Sequence, residues 1–158
     1  MNMPRLNLPQ VELRLATEDG IVKVWDRLRK KYVALTPEEF VRQNFINWLI
    51  TTYHYPESLI ANEIGIEVNG TRRRCDSVVF DRDGYPLMIV EYKAPSVAIT
   101  QDVFDQIVRY NMAMRARYLV VSNGVNHYFC AIDYENDNYH FLPRIPDWED
   151  IIRPISEN

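Results

Sequence analysis

Apolar residues, broken by single charged or polar positions, gather in three consecutive stretches of strand length, 59–68, 74–80 and 87–93. Asn69-Gly70 separates the first two and Asp83-Gly84 the last two. Both dipeptides favour tight turns, so an antiparallel meander is predicted. Ahead of it, Val41, Phe45, Trp48 and Leu49 recur at helical spacing. Thr36-Pro37-Glu38-Glu39 opens that helix with an N-cap Thr, a Pro at the first helical position and a Glu at the third. Tyr55-Pro56 closes it. Behind the meander, Pro95 ends the third strand and residues 101–115 read as a second helix. A short apolar strand over 118–121 ends at Asn123-Gly124 and pairs as a hairpin with 125–132. The order helix, three strands, helix, strand, strand predicts one mixed α/β (α+β) domain over 1–158. Residues 1–35 are expected to add a hairpin of 21–25 and 32–35, with the basic stretch 27–31 at its tip. The tail 143–158 is rich in Pro and acidic residues, and Trp148, Ile151 and Ile152 are its expected docking anchors.

Composition changes this picture little. At 158 residues the chain is long enough for one core, and ten Tyr, six Phe and three Trp supply large buried surfaces. The net charge of −4 argues against a protein that coats nucleic acid without selectivity, though Arg72-Arg73-Arg74 is a local basic patch. Cys75 and Cys130 are too few and too far apart for a disulfide framework or a zinc site. His54, His127 and His140 show no metal-ligand spacing. No apolar run approaches the ~20 residues of a membrane span. A soluble, cytoplasmic protein is expected.

The chemistry concentrates on the meander. Asp76 lies on the second strand in line with Val78 and Phe80, and Glu91 and Lys93 lie on the third in line with Leu87 and Ile89. Charge on an apolar face is costly unless it is shared or has a task. The turn near Asp83-Gly84 is about midway between Asp76 and Glu91, so the two carboxylates should face each other across the ladder. Two ionised carboxylates that close repel unless a cation joins them, and hard oxygen ligands suit Mg²⁺ or Mn²⁺. Lys93 points the same way, fit to orient a water or to neutralise charge on a pentavalent phosphate. The competing reading is a surface strand ending in Glu-x-Lys as a cross-strand ion pair.

With these letters the chain resembles the PD-(D/E)XK nuclease superfamily, in particular stand-alone relatives of the N-terminal domain of type I restriction enzyme R subunits. The matching segments are T-P-E-E-F-V-R-Q, R-R-R-C-D, I-V-E-Y-K-A-P, Q-I-V-R-Y-N and V-S-N-G, in the family's order over most of residues 22–131. Cys75 stands where the family has Pro. The resemblance implies a restriction-endonuclease-like core over about 36–131, metal binding at Asp76 and Glu91, and a catalytic Lys93. The implied activity is a Mg²⁺-dependent DNA endonuclease, with help from the Tyr92 carbonyl. It also implies that Gln106 and Tyr110, a Gln-x3-Tyr pair one helical turn apart, support the site or contact DNA.

Some positions stay open. Superfamily nucleases often add a Glu from the first helix. Glu39 is accounted for by the capping box, whereas Glu38 is in phase with Val41, Phe45 and Leu49 and is preferred as the inward ligand. Its alternative is an exposed first-turn acid favoured by the helix dipole. Glu63 is either a further ligand or, preferably, a solvent-facing strand position. Arg72, Arg73 and Arg74 are candidate phosphate grips or a solvated turn, and Arg109, Arg115 and Arg117 extend that surface. There is no G-x-x-x-x-G-K-[ST] loop, so no nucleotide cofactor is expected. Nor is there a target-recognition motif, so sequence choice would fall to a specificity or motor partner, or to a homodimer. The alternative to an enzyme is a nucleic-acid- or protein-binding module that keeps the nuclease fold. A plain interaction protein docking through Trp148 and the tail is the third reading.

Overall fold

The computed structural model describes residues 3–153. Its centre is a six-stranded mixed sheet in the order β4-β5-β6-β7-β8-β9: Ile60–Val68, Thr71–Phe80, Pro86–Tyr92, Tyr118–Ser122, His127–Asp133 and Asn138–Phe141. Neighbours are antiparallel except β6 and β7, which run parallel because the connection between them carries α2, Gln101–Met112. This is the expected meander, helix and strand, with β9 added at the far edge.

Local chemistry explains the element ends. Thr36 accepts the Glu39 backbone N–H at 3.1 Å and Pro37 starts α1, Pro37–Thr51. Thr100 caps α2 in the same way through the Val103 N–H at 3.2 Å. The β4–β5 turn is a two-residue hairpin in which Asn69 and Gly70 both have positive φ, 50° and 79°. That is the conformation for which Asn-Gly is selected. At the β5–β6 turn, Asp81 accepts the backbone N–H groups of Asp83 and Tyr85.

The sheet separates two apolar layers. Val41, Phe45, Ile46 and Leu49 of α1 pack on Met88, Val90 and Tyr92 of β6. On the other face Phe104, Ile107 and Val108 of α2 pack on Val78, Ile89, Leu119 and Val121. Strand alternation thus feeds both layers from the same strands.

The two ends of the chain depart from expectation. The N-terminal part is a three-stranded antiparallel sheet, β1 Leu15–Glu18, β2 Ile21–Asp26 and β3 Lys31–Ala34, not a lone hairpin. Its basic tip is not a solvated charge cluster. Arg27 pairs with Glu57 and Arg29 with Asp26 and Glu39, so the tip is tied to the body of the protein. The expectation that Trp148, Ile151 and Ile152 form an external docking surface is also corrected. Trp148 and Ile151, on the short helix α3 Trp148–Ile151, are buried in the α1-side core, with Trp148 edge-on to Tyr55. Burying an aromatic there stabilises this domain instead of leaving it free for a partner. The last part of the expected tail, 154–158, lies outside the described residues.

Candidate active site

The β4–β5–β6 meander opens at one place. The β5–β6 register is Ser77↔Val90, Val78↔Ile89, Val79↔Met88, and it stops at Ser77. Carried one residue further, it sets Asp76 opposite Glu91. There the Asp76 carboxylate replaces the missing ladder partner and accepts the Tyr92 backbone N–H at 2.9 Å.

The β4–β5 ladder is interrupted at the same level. Asn62 pairs with Ser77 and Ile64 with Cys75, and the pair between them, Glu63 with Asp76, is skipped. Glu63 has φ 52°, the left-handed region, which costs a non-glycine residue on the order of 1 kcal/mol. The kink turns the strand over: Ile60 packs on the α1 side, whereas Ile64 packs on the α2 side. The crease brings three carboxylates and two cations to one end of the meander.

Electrostatics follow from burial. Asp76 is held above the ordinary carboxylate range, chiefly because burial disfavours its charge, although the Tyr92 N–H and Arg42 oppose the shift. Burial and the neighbouring Asp76 charge push Glu91 up to about 7, against the pull of Lys93. Lys93 is half-buried, and its charge acts on both carboxylates. Its backbone N–H donates to the Ser122 carbonyl at 2.9 Å, extending the β6–β7 ladder one residue and fixing where its side chain departs.

Behind the crease lies a second charged group that sequence reasoning missed. Arg42, 4% exposed, donates to Glu39 and to Glu63, and its guanidinium lies 5.5 Å from the Tyr92 ring centroid. Glu39, 7% exposed, also accepts from Arg29 at 2.6 Å and Gln43 at 3.0 Å. Arg29 pairs with Asp26, whose carboxylate accepts from Asn62 at 3.0 Å. Asn62 in turn accepts from Ser77, and Ser77 from the Tyr92 hydroxyl at 2.9 Å. The sequence signal was available: Glu39, Arg42 and Gln43 sit three and four apart, on one helix face.

The expected site residues divide. Asp76, Glu91 and Lys93 come together, and Gln106 and Tyr110 line, with Glu91, Ile107 and Asn111, a cleft of about 310 Å³. Glu38 does not join them, and the inward orientation expected of it is corrected. Its side chain is exposed, and Glu39 is the buried one. The helix turns its inner face through Glu39, Arg42 and Gln43 at this end because Arg29 and Arg42 supply cations there. The basic run is strand, not turn. Arg74, with a side chain 72% exposed, pairs with Glu63, and the Arg73 guanidinium lies 4.8 Å from the Tyr110 ring centroid. Arg72 is exposed and covers Gly65, where a Cβ would meet its guanidinium at 3.1 Å. Among the described residues no three or more His, Cys, Asp or Glu side chains converge as a metal cluster. A cation here would take two carboxylates, Asp76 and Glu91, and complete its shell with backbone oxygen and water, as Mg²⁺ commonly does. The donor set fits such an ion, since adjacent buried carboxylates that repel each other are relieved by a shared divalent charge.

The sequence profile of the family described as type I restriction enzyme R protein N terminus matches residues 37–146. The chain belongs to that family. A solved structure is similar as well: a fragment described as the HsdR subunit of a type I restriction enzyme from Vibrio vulnificus YJ016, at 17% identity and TM-score 0.50. The match covers 75% of this chain and 25% of that one, so the chain spans about a quarter of the solved fragment. At this identity the likeness concerns the fold, a restriction-endonuclease-like core. No curated protein sequence matches significantly. No helix among the described residues is long and apolar enough to cross a membrane.

Proposed function

We propose that this R-protein N-terminus domain is a DNA endonuclease that hydrolyses phosphodiester bonds with Mg²⁺ or Mn²⁺ held by Asp76 and Glu91. The observation that carries the reading is the crease itself. Two half-buried carboxylates on adjacent strands face each other where the ladder stops, with Lys93 acting on both. A purely structural ion pair would pull the carboxylates below their ordinary range, and here both are raised. When bound, a divalent cation polarises the phosphoryl oxygens and stabilises the leaving oxygen.

The chain's own residues do the rest. The Tyr92 N–H locks one Asp76 oxygen and so orients the other. Lys93 donates from its ammonium to the attacking water and offsets charge that builds on phosphorus. Gln106 and Tyr110 border the cleft on the α2 side, and Arg72, Arg73 and Arg74 lie along the strand leading into it, suited to backbone phosphates. The family, named for type I restriction enzymes, supports DNA as the substrate and a specificity or motor subunit as a partner.

The test is plasmid cleavage by wild type and Asp76→Ala in Mg²⁺, Mn²⁺ or EDTA. Nicking or linearisation by wild type alone, and only with metal, is expected. Cleavage that survives Asp76→Ala would sink the assignment. DNA binding without cleavage in either metal would favour a binding module that keeps the fold.

A further inference from the structure

Beyond the crease the β4–β5 hairpin runs on as a two-stranded ribbon, because the β5–β6 register stops at Ser77. Its two faces differ. Ile64, Ile66, Val68 and Cys75 pack toward Phe104, Ile107 and Val108 of α2. Gly65, Glu67, Arg72 and Arg74 form the outer face, and all four are exposed. The three consecutive arginines divide accordingly. Arg73 is half-buried on the α2 side, with its guanidinium on the Tyr110 ring. It donates to the Tyr110 carbonyl at 3.4 Å and to the Arg72 carbonyl at 3.2 Å. The Tyr110 carbonyl belongs to the last turn of α2, where a cation is favoured. Arg73 is thus a strut between ribbon and helix.

The outer pair is unspent. Glu67 stands directly across the ladder from Arg72, yet among the described residues the Arg72 side chain makes no ion pair or hydrogen bond. It leans instead over Gly65, two positions nearer the crease. Gly65 does not have a positive φ, so what this glycine supplies is open space, a mark of strands that another backbone approaches closely. Arg74, opposite Gly65, commits only its Nε, to Glu63, and leaves its two terminal amino groups without hydrogen bonds among the described residues. Positions two apart on a strand are separated by roughly 6–7 Å. Arg72, Arg74 and Asp76 follow at that interval, and successive phosphates along one DNA strand have a similar separation. Guanidinium groups also match the paired anionic oxygens of a phosphate. We propose that the outer face of this ribbon is a track for the DNA backbone: Arg74 and Arg72 hold two neighbouring phosphates that adjoin the one at the crease, and Arg73 takes no part. The inference rests on the nuclease reading only for calling the phosphate at the crease the scissile one. Glu67, level with Arg72, marks the far end of the track, since its charge repels phosphate there.

Binding is measured in EDTA, away from cleavage, as the fluorescence anisotropy of a fluorescein-labelled mixed-sequence duplex between about 50 and 200 mM KCl. Each phosphate neutralised by the protein contributes about 0.9 to the slope of log affinity against log salt. Arg72→Gln and Arg74→Gln should each reduce the slope by about that much, and the double variant by about twice as much, because the two phosphates are distinct. Arg72→Lys and Arg74→Lys keep the charge and should keep the slope. Arg73→Gln should keep it as well and lower the melting temperature instead, as the loss of a strut does. Circular dichroism melts read that temperature and confirm that each variant folds. Should Arg74→Gln fail to fold on losing its Glu63 pair, Arg72→Gln carries the test alone. Where the wild type cuts plasmid in Mg²⁺, the variants that lose slope should show a severalfold higher KM.

Slopes of Arg72→Gln and Arg74→Gln equal to that of wild type would overturn the inference, as would a loss of slope in Arg73→Gln as large as in its neighbours, an unchanged KM, or no binding of the duplex by wild type. These failures are separate from failure of the nuclease reading, which shows as metal-dependent cleavage that is missing or indifferent to Asp76→Ala. A protein that holds the duplex through Arg72 and Arg74 but never cuts it would keep the track and lose the nuclease.

Discussion

Two groups of buried charge meet at Tyr92, and they differ in sign of effect. On the α1 side, Asp26, Arg29, Glu39 and Arg42 alternate in charge and their carboxylates are hydrogen-bonded. Burial works against the Asp26 charge, yet hydrogen bonds from Asn62, Arg29 and the Leu28 N–H outweigh it and hold the group below its ordinary range. Across the Tyr92 backbone, burial also works against the charges of half-buried Asp76 and Glu91, with too little compensation, and both are raised. The difference is direct pairing: Asp26 and Glu39 each accept from a cation, and so does Glu63 from Arg42 and Arg74, whereas Asp76 and Glu91 have no ion pair of their own among the described residues and Lys93 acts on both only through its charge. The first arrangement holds strands in place, and the second leaves two carboxylates that repel each other.

The largest effect should come from breaking the satisfied side. Arg42→Met removes the cation shared by Glu39 and Glu63, so that buried Glu39 loses one of its two cations and keeps only Arg29. A loss of about 3 kcal/mol in urea denaturation is expected, as for other buried pairs that lose one member. Adding Glu39→Gln should return part of the loss, because a neutral amide tolerates the site better than a buried carboxylate that has lost one of its two cations. A loss under about 1 kcal/mol would mean that the network is no more than a surface ion pair, and the contrast would collapse.

The unsatisfied side should respond in the opposite direction. Glu91 in the folded protein is raised from 4.5 to about 7. The folded state therefore holds this proton more tightly than the unfolded chain, and ionising Glu91 costs stability. The cost is absent below about pH 4.5, grows between 4.5 and 7, and is fully present above 7. Glu91→Gln should therefore stabilise the metal-free protein at pH 8 by about 1–2 kcal/mol, less than the full shift implies because the group is partly solvated. The gain should vanish at pH 4.5. Denaturation in EDTA at the two pH values measures this, and cleavage should be lost in the same variant. Equal stability of variant and wild type at pH 8 would show that the carboxylates do not strain each other.

Much of this contrast is legible in the sequence, but unequally. The meander came from short apolar runs and two turn dipeptides, and the capped helix from Thr36-Pro37, because local chemistry determines such features. Asp76, Glu91 and Lys93 were legible since charge interrupts apolar strand faces. The compensating group was legible only in its helical part, Glu39, Arg42 and Gln43, because Asp26, Asn62 and Ser77 come from elements far apart in sequence and look individually like surface residues. The same reason hid Trp148, whose partner Tyr55 is reached only after folding, and β9, whose four residues Asn138–Phe141 carry no clear alternation. The crease at Glu63 has no local signal either, since glycine or Asn is the usual mark of positive φ.

A smaller test concerns what aims Glu39. Thr36 accepts the Glu39 N–H and fixes the first turn of α1. Thr36→Ala should cost about 1 kcal/mol in urea denaturation, the usual loss for an N-cap. The same variant should lower the additional cost of Arg42→Met if the cap helps hold Glu39 against Arg42. Strict additivity of the two would separate cap from network.

The smallest expected effect separates neighbouring acids. Glu38 and Glu39 both lie in the first turn of α1, where negative charge meets the positive end of the helix dipole. Glu38 is exposed, with no ion-pair partner among the described residues, so the helix dipole is the main favourable interaction expected for its charge. Glu38→Gln should cost at most about 0.5 kcal/mol, fade further at high salt, and leave Mn²⁺ affinity and cleavage as in wild type. Glu39→Gln removes a buried charge that faces Arg29 and Arg42, and should cost several times more at any salt concentration. Mn²⁺ titration calorimetry of both variants decides the point. A drop in metal affinity in Glu38→Gln alone would mean that the first helix turns inward when metal binds and that its exposed acid joins Asp76 and Glu91 after all.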